Sequence, residues 1–181
     1  MKPEECQGSN GGVLGKEDSK MMKTIGSALL WIVVGMVLMG LIVWQVMPSM
    51  MLIQHKSSKN FDETVAVIGD AVKKKQDWKI LVVNDFQKSI REGGHGEMNR
   101  IGSIAVCNPR YASRILADDG NKKVAAFMPI EIGIYEDKNR QVYISELNVG
   151  LVGKMFGGTI AEVMSDAGKD IKDIIASVAQ K

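Results

Sequence analysis

The stretch IGSIAVCNPRYASRIL, residues 101–116, contains a strand pattern that runs directly into a helix start. Ile101–Cys107 has the length and apolar character of a strand. Asn108 is a favoured N-cap residue, and Pro109 suits the first helical position, where its missing N–H leaves no hydrogen bond unmade. The helix should continue through Tyr111, Ala112, Ile115 and Leu116 and end at Asp118-Asp119-Gly120.

Apolar residues alternate with polar ones farther along the chain. Ile130, Ile132 and Ile134 alternate with Glu131, Gly133 and Tyr135, and Val142 and Ile144 continue this pattern beyond a polar turn. The alternation predicts a β-hairpin with one buried face. Two further strands are expected at Leu52–Ser58 and Trp78–Val83.

Two amphipathic helices flank these strands in the sequence. Asn60 and Glu63 have the spacing of a capping box, and the apolar residues behind them recur at helical spacing: Phe61, Val65, Ile68 and Val72. Thr159 and Glu162 predict a second capping box, followed by Ile160, Met164, Ala167, Ile171, Ile174 and Val178. The opposite, solvent-facing side of this helix carries charged residues: Asp166, Lys169, Asp170, Lys172 and Asp173. This order predicts an α+β fold, with a mainly antiparallel sheet covered by helices.

A long segment before these elements carries no charge. Ile25–Met47 contains 23 residues, which is about 34 Å of helix at ~1.5 Å per residue. The hydrocarbon core of a bilayer is about 30 Å thick, so we predict one transmembrane helix over residues 24–48, ended by Pro48. The run is longer than the apolar region of a signal peptide and ends without a small-residue cleavage site.

The predicted organisation therefore has three parts. Residues 1–23 are expected to be a disordered tail, and residues 52–181 an α+β soluble domain. Three lysines precede the span (Lys16, Lys20, Lys23) and two follow it closely (Lys56, Lys59). The positive-inside rule then predicts a single-pass membrane protein with its soluble domain on the extracytoplasmic, periplasmic side.

Composition excludes several classes of protein. The chain has 181 residues, 45% of them hydrophobic, and a net charge of only +2. It is therefore not wholly disordered, and nothing in its charge favours nucleic acid as a partner. The expected partner is the lipid bilayer, and we expect no cofactor.

Cys107 is the residue whose side chain is most clearly capable of reactive chemistry. A thiol beside a helix N-terminus can have a lowered pKa, so Cys107 is a candidate catalytic nucleophile for redox or sulfur-transfer chemistry. A buried structural cysteine is the alternative. With His95 and Met98 it would form a weak set of soft-metal ligands. No Ser/His/acid spacing is present, and the sequence does not decide whether the protein is an enzyme.

The segments Ile104–Ala112, Met128-Pro129, Ile134–Asp137 and Val142–Ile144 resemble domain-of-unknown-function family 302. Cys107, Asn108 and Pro109 match its Cys-Asn-Pro motif, whereas Ile130 stands where the family commonly has a cysteine. The resemblance implies a single-copy TATA-binding-protein-like α+β fold and a homodimer.

The first function hypothesis is a membrane-anchored module that binds a small ligand or a partner near the Cys-Asn-Pro turn. Its candidate ligand-binding residues are Cys107, Asn108, Pro109, Ala112 and Pro129. The alternatives are a thiol-dependent redox or sulfur-transfer protein using Cys107, and a soft-metal or haem-binding protein.

Overall fold

The first helix is longer than the sequence predicted. In a computed structural model that describes residues 14–180, α1 spans Leu14–Met51, and Leu30–Met51 is long and apolar enough to cross a membrane. Residues 14–23, expected to be a disordered tail, are helical, because extending an existing helix by good helix formers is favourable. The rest of that tail, residues 1–13, lies outside the described residues.

Pro48 lies inside α1 and does not end it, which corrects the predicted boundary. Proline removes one helical hydrogen bond and usually breaks a helix. The helix continues for one short turn to Met51, where its last carbonyls are paired: the backbone N–H of Asn148 lies 2.7 Å from the carbonyl oxygen of Met51, and its side-chain Nδ2 lies 3.2 Å from that of Met50.

The chain divides into two compact units between Met47 and Pro48, and the second unit contains the sheet. Its strands are β1 (Leu52–Lys56), β2 (Lys79–Asp85), β3 (Ile101–Cys107), β4 (Ile130–Glu136) and β5 (Val142–Leu147). Its helices are α2 (Phe61–Lys74), α3 (Phe86–Glu92), α4 (Pro109–Leu116), α5 (Val149–Lys154) and α6 (Gly158–Ala176), with a 3₁₀ helix at Asp119–Phe127.

All five strands form one antiparallel sheet in the order β1-β5-β4-β3-β2. This confirms the predicted α+β class with an antiparallel sheet and flanking helices. The hairpin pairs Ile134 with Ile144 across β4 and β5. Because paired residues share a face, the alternating isoleucines form one continuous apolar surface.

The core lies between that surface and helices α2 and α6. Ile68 and Val72 come from α2, and Ile171 and Ile174 come from α6. They pack with sheet residues that are almost fully buried: Ile104, Val106, Ile132, Ile134, Val142 and Ile144. The helical spacing of apolar residues therefore identified the buried faces of α2 and α6.

The start of α6 differs from the predicted capping box. Gly157 is the N-cap, at a φ of 72° that favours glycine, and no side chain caps the helix. Thr159 is already inside the first turn, so it cannot serve as the N-cap. The glycine pair Gly157-Gly158 was the better signal, since both residues have positive φ angles.

Helix α5 and the 3₁₀ helix were not predicted. Asn148 is the N-cap of α5 and accepts a hydrogen bond from Leu151 N–H. Helices α5 and α6 approach closely at Gly153, where a Cβ atom would lie 2.6 Å from the Cβ of Met164. A second, smaller apolar core around Val152, Ile160 and Val163 forms beside this contact.

Candidate functional site

A small apolar cavity lies below the turn between β3 and α4. It measures about 50 Å³. Its walls come from the end of β3, from α4, from the segment between the 3₁₀ helix and β4, and from α6. The lining side chains are mainly apolar: Trp78, Val106, Tyr111, Ala112, Ile115, Val124, Phe127, Met128, Pro129, Ile130, Val163, Met164 and Ala167, together with Cys107 and Asn108.

Four of the five residues predicted to bind a ligand line this cavity: Cys107, Asn108, Ala112 and Pro129. The Cys-Asn-Pro turn and the Met128-Pro129 segment are distant in sequence, and the fold brings them together. Pro109 does not line the cavity. It lies on the surface with Asp77, Lys79 and Arg110, because the first helical position faces outward here.

Asn108 acts as the predicted helix cap. Its side-chain Oδ1 accepts hydrogen bonds from the N–H groups of Arg110 at 3.0 Å and Tyr111 at 3.3 Å. Its Nδ2 donates to the carbonyl of Gln76 at 3.4 Å. The residue is 6% exposed, so these bonds satisfy a buried amide and tie α4 to the loop after α2. Asn108 therefore shapes the cavity wall.

Cys107 is half-buried, and its environment does not favour a thiolate. Burial raises the pKa of the Cys107 thiol, which favours the alternative of a buried structural cysteine over an activated thiolate. The cause is desolvation, because burial among the apolar side chains of the cavity disfavours the charged thiolate. The neutral thiol is the favoured form in this position.

The predicted soft-metal set is not assembled. His95 and Met98 lie in the loop before β3, whereas Cys107 lies at the other end of that strand, six residues or about 20 Å away at ~3.3 Å per residue. His95 N–H bonds to the carbonyl of Ile90, and the Met98 carbonyl accepts from Gln87. Among residues 30–180, whose side chains the structure describes, no three His, Cys, Asp or Glu side chains are grouped to hold a metal.

Met128 and Met164 were missed as candidate residues. They line the same cavity as Cys107, so three sulfur-containing side chains surround it. Thiolates and thioethers are the ligands that soft metals prefer, and the burial that raises the pKa of Cys107 opposes the loss of the proton that metal binding requires. No sequence spacing connects these three residues, since they lie on three different elements.

A polar cluster borders the cavity where Trp78 and Tyr111 form its wall. Asp170 of α6 accepts three hydrogen bonds there. Its Oδ2 accepts from Trp78 Nε1 at 3.0 Å and from the Tyr111 hydroxyl at 3.1 Å, and its Oδ1 accepts from Lys75 Nζ at 3.0 Å. The Trp78 and Tyr111 rings meet edge to face, with centroids 6.2 Å apart. The sequence had placed Asp170 on the solvent-facing side of α6.

The charge of Asp170 is stabilised by these donors. Burial acts to raise its pKa, but the hydrogen bonds from Trp78, Lys75 and Tyr111 outweigh that effect, and the pKa is lowered from 3.8. Burial, together with the bond to Asp170, raises the pKa of Tyr111. The hydrogen bonds to Asp173 and Asp170 likewise raise the pKa of Lys75.

Comparison with known proteins agrees with this fold. Residues 53–178 match the family model described as Domain of unknown function DUF302. The crystal structure of the uncharacterized conserved protein DUF302 from Bacillus stearothermophilus superposes with a TM-score of 0.63 at 22% sequence identity, covering 71% of this chain and 98% of that chain. At this identity the likeness concerns the fold. No curated protein matches.

We expect Asp170→Asn to lower the free energy of unfolding at pH 7 by roughly 1–3 kcal/mol, the usual contribution of hydrogen bonds to a charged group. The lowered folded-state pKa means that the unfolded chain binds the proton first on acidification. The contribution is therefore present at neutral pH and is lost as the pH falls below about 4. Denaturant unfolding of the full chain at several pH values measures both effects.

The matched control for that experiment is Asp173→Asn, because Asp173 also bonds to Lys75 but is 68% exposed. It should change stability less than Asp170→Asn does. An Asp170→Asn chain with the same acid sensitivity as the parent would contradict the assigned electrostatic role.

The Cys107 thiol should be alkylated slowly at neutral pH. We expect the Cys6→Ser chain, which retains Cys107 alone, to show a reaction midpoint at higher pH when folded than in denaturant, because burial raises the thiol pKa. Iodoacetamide labelling followed by intact-mass spectrometry measures the rate against pH. A folded-state midpoint below the denatured one would show an activated thiolate.

Proposed function

This chain belongs to the family Domain of unknown function DUF302, and we propose that it is a membrane-anchored protein that binds a small apolar ligand below the Cys107–Pro109 turn. The cavity of about 50 Å³ is the observation that carries the proposal. It joins four predicted ligand-binding residues with apolar side chains from α4 and α6.

The dimensions of the cavity limit what it can hold. Its volume exceeds the roughly 10–15 Å³ that one water molecule needs, and it is far below the roughly 300 Å³ of the smallest usual drug-sized pockets. An apolar cavity of this kind does not retain water well. The ligand is therefore a small apolar molecule or the apolar end of a larger one.

The chemistry of the walls supports binding over thiol catalysis. Redox or sulfur-transfer chemistry at Cys107 needs an accessible thiolate, whereas burial here favours the neutral thiol. The polar groups beside the cavity are already paired with each other, as the bonds of Asn108 and Asp170 show. These groups fix the walls and leave the apolar side chains as the contact surface.

Anchoring rests on Leu30–Met51 of α1, which is long and apolar enough to cross a bilayer. Trp31 and Trp44 lie towards the two ends of the apolar run, where interfacial tryptophans are common. With three lysines before the span and two soon after it, we place the soluble domain on the extracytoplasmic side.

Xenon should enter the cavity and shift the ¹³C ε-methyl resonances of Met128 and Met164 in the full chain. Ala112→Leu, which adds volume at the cavity wall, should abolish the shifts, whereas Val163→Ala should strengthen them by enlarging the space. Ala125→Leu is the control, because Ala125 is exposed and does not line the cavity.

Organic extraction of the purified chain, followed by mass spectrometry, extends this test to natural ligands. A small molecule that copurifies with the parent chain and with Ala125→Leu, but not with Ala112→Leu, would support the proposal. An unresponsive cavity, with no xenon shift in the parent or in Val163→Ala, would refute it.

The anchor should remain attached and place the domain outside the cytoplasm. A chain tagged before Met1 and after Lys181 should stay in bacterial membranes through an alkaline wash with both tags present, whereas deletion of residues 30–47 should release it. Alkaline phosphatase fused after Lys181 should be active. Loss of the first tag would show a cleaved signal sequence, and an inactive phosphatase would reverse the orientation.

A further inference from the structure

Three apolar side chains form an exposed patch on the soluble domain. Phe127 ends the 3₁₀ helix, and Met155 and Phe156 form the turn between α5 and α6. Their exposed fractions are 41%, 64% and 40%. The two phenylalanine rings meet edge to face with centroids 6.0 Å apart, so two segments distant in sequence build one surface. We call it the Phe127–Phe156 patch.

The residues around the patch are small or basic. Ala125 and Ala126 are exposed on the segment that carries Phe127. Lys123 and Lys154 are also exposed, one on each of the two segments, and Lys122 pairs with Asp119 at the margin. Aromatic and long apolar side chains bordered by lysines are typical of surfaces that enter the interfacial region of an anionic membrane.

The patch is attached closely to the residue where the apolar helix ends. Met51 is followed directly by β1 at Leu52, with no linker. Asn148, the N-cap of α5, bonds to the carbonyls of Met50 and Met51. Helix α5 has six residues, or about 9 Å at ~1.5 Å per residue, and Met155 follows it. The patch therefore lies close to Met51, the last residue of α1.

We propose that the Phe127–Phe156 patch binds the lipid surface at which α1 ends. The three apolar side chains enter the headgroup region, and Lys123 and Lys154 contact anionic headgroups. This inference rests on the proposed anchoring of α1. It also concerns the ligand site, because Phe127 lines the cavity as well as the patch, so one wall of the cavity would face lipid.

Methionine methyl groups test the proposal in the full chain. The ¹³C-labelled chain is placed in nanodiscs of phosphatidylcholine and phosphatidylglycerol, with either a doxyl-labelled lipid or a water-soluble gadolinium chelate. We expect the lipid label to broaden the Met155 signal and the soluble agent to leave it sharp. Met98 is the internal control, because it is 42% exposed in the loop before β3, and it should show the reverse.

Met36 and Met39 separate this inference from the anchoring on which it rests. Both lie within the apolar part of α1, so the lipid label should broaden their signals whenever that helix is in the bilayer. Broadening at neither residue would refute the anchor. Broadening there, together with a Met155 that only the soluble agent affects, would refute the patch and leave the anchor standing.

Substitutions complete the test. Phe127→Ser with Phe156→Ser should restore the Met155 signal in the presence of labelled lipid and expose it to the soluble agent. Leu81→Ser, which changes another exposed apolar side chain, should have no such effect. A Met155 shielded from both agents, and freed by dilution to one chain per nanodisc, would show that a second copy covers the patch and would overturn the proposal.

Discussion

The carboxylate of Asp170 holds together the parts of the domain that surround the cavity. Its two oxygens accept hydrogen bonds from two separate segments: Lys75 and Trp78 in the loop between α2 and β2, and Tyr111 in α4. Three donors offset the desolvation of a partly buried charge, and the pKa is lowered as a result. Without this junction, α4 would lose its hydrogen bond to α6, and the Trp78 and Tyr111 side chains that form one wall of the cavity would be held less firmly.

Asn108 makes a second connection between α4 and the loop after α2. It caps α4 and bonds to the carbonyl of Gln76, so the same loop after α2 is held twice. The Cys-Asn-Pro turn therefore has a structural role in the domain. Its amide fixes the helix start, and its cysteine contributes a neutral, half-buried thiol to the cavity.

Local patterns predicted the elements of the soluble domain well. Asn60 and Asn108 are both N-caps, and β3 has the predicted bounds Ile101–Cys107. Such features depend on neighbouring residues alone. The end of α1 was misjudged because its last carbonyls pair with Asn148, which is distant in sequence. The start of α6 was misjudged because the positive φ angle of Gly157, a neighbouring residue, begins the helix before Thr159.

The candidate site was predictable only in part. Helical periodicity put Asp170 on the outer face of α6, but periodicity cannot show that another loop supplies donors to that face. The same limit applies to Met128 and Met164, which meet Cys107 only through the tertiary fold. The sequence left open whether Cys107 is an activated thiol or a buried one, because its burial depends on side chains from other elements of the fold.

The ends of the soluble domain meet at one edge of the sheet. Ser57 pairs with Ala179, and Gln180 N–H bonds to the carbonyl of Lys56 at 2.8 Å. A pulling force applied between α1 and a protein joined after Lys181 would act first on these few bonds, opening them one after another. Strands β2, β3 and β4 lie outside that path. Under mechanical load the domain would therefore yield first at this edge, before the pairing among β2, β3 and β4 bears the force.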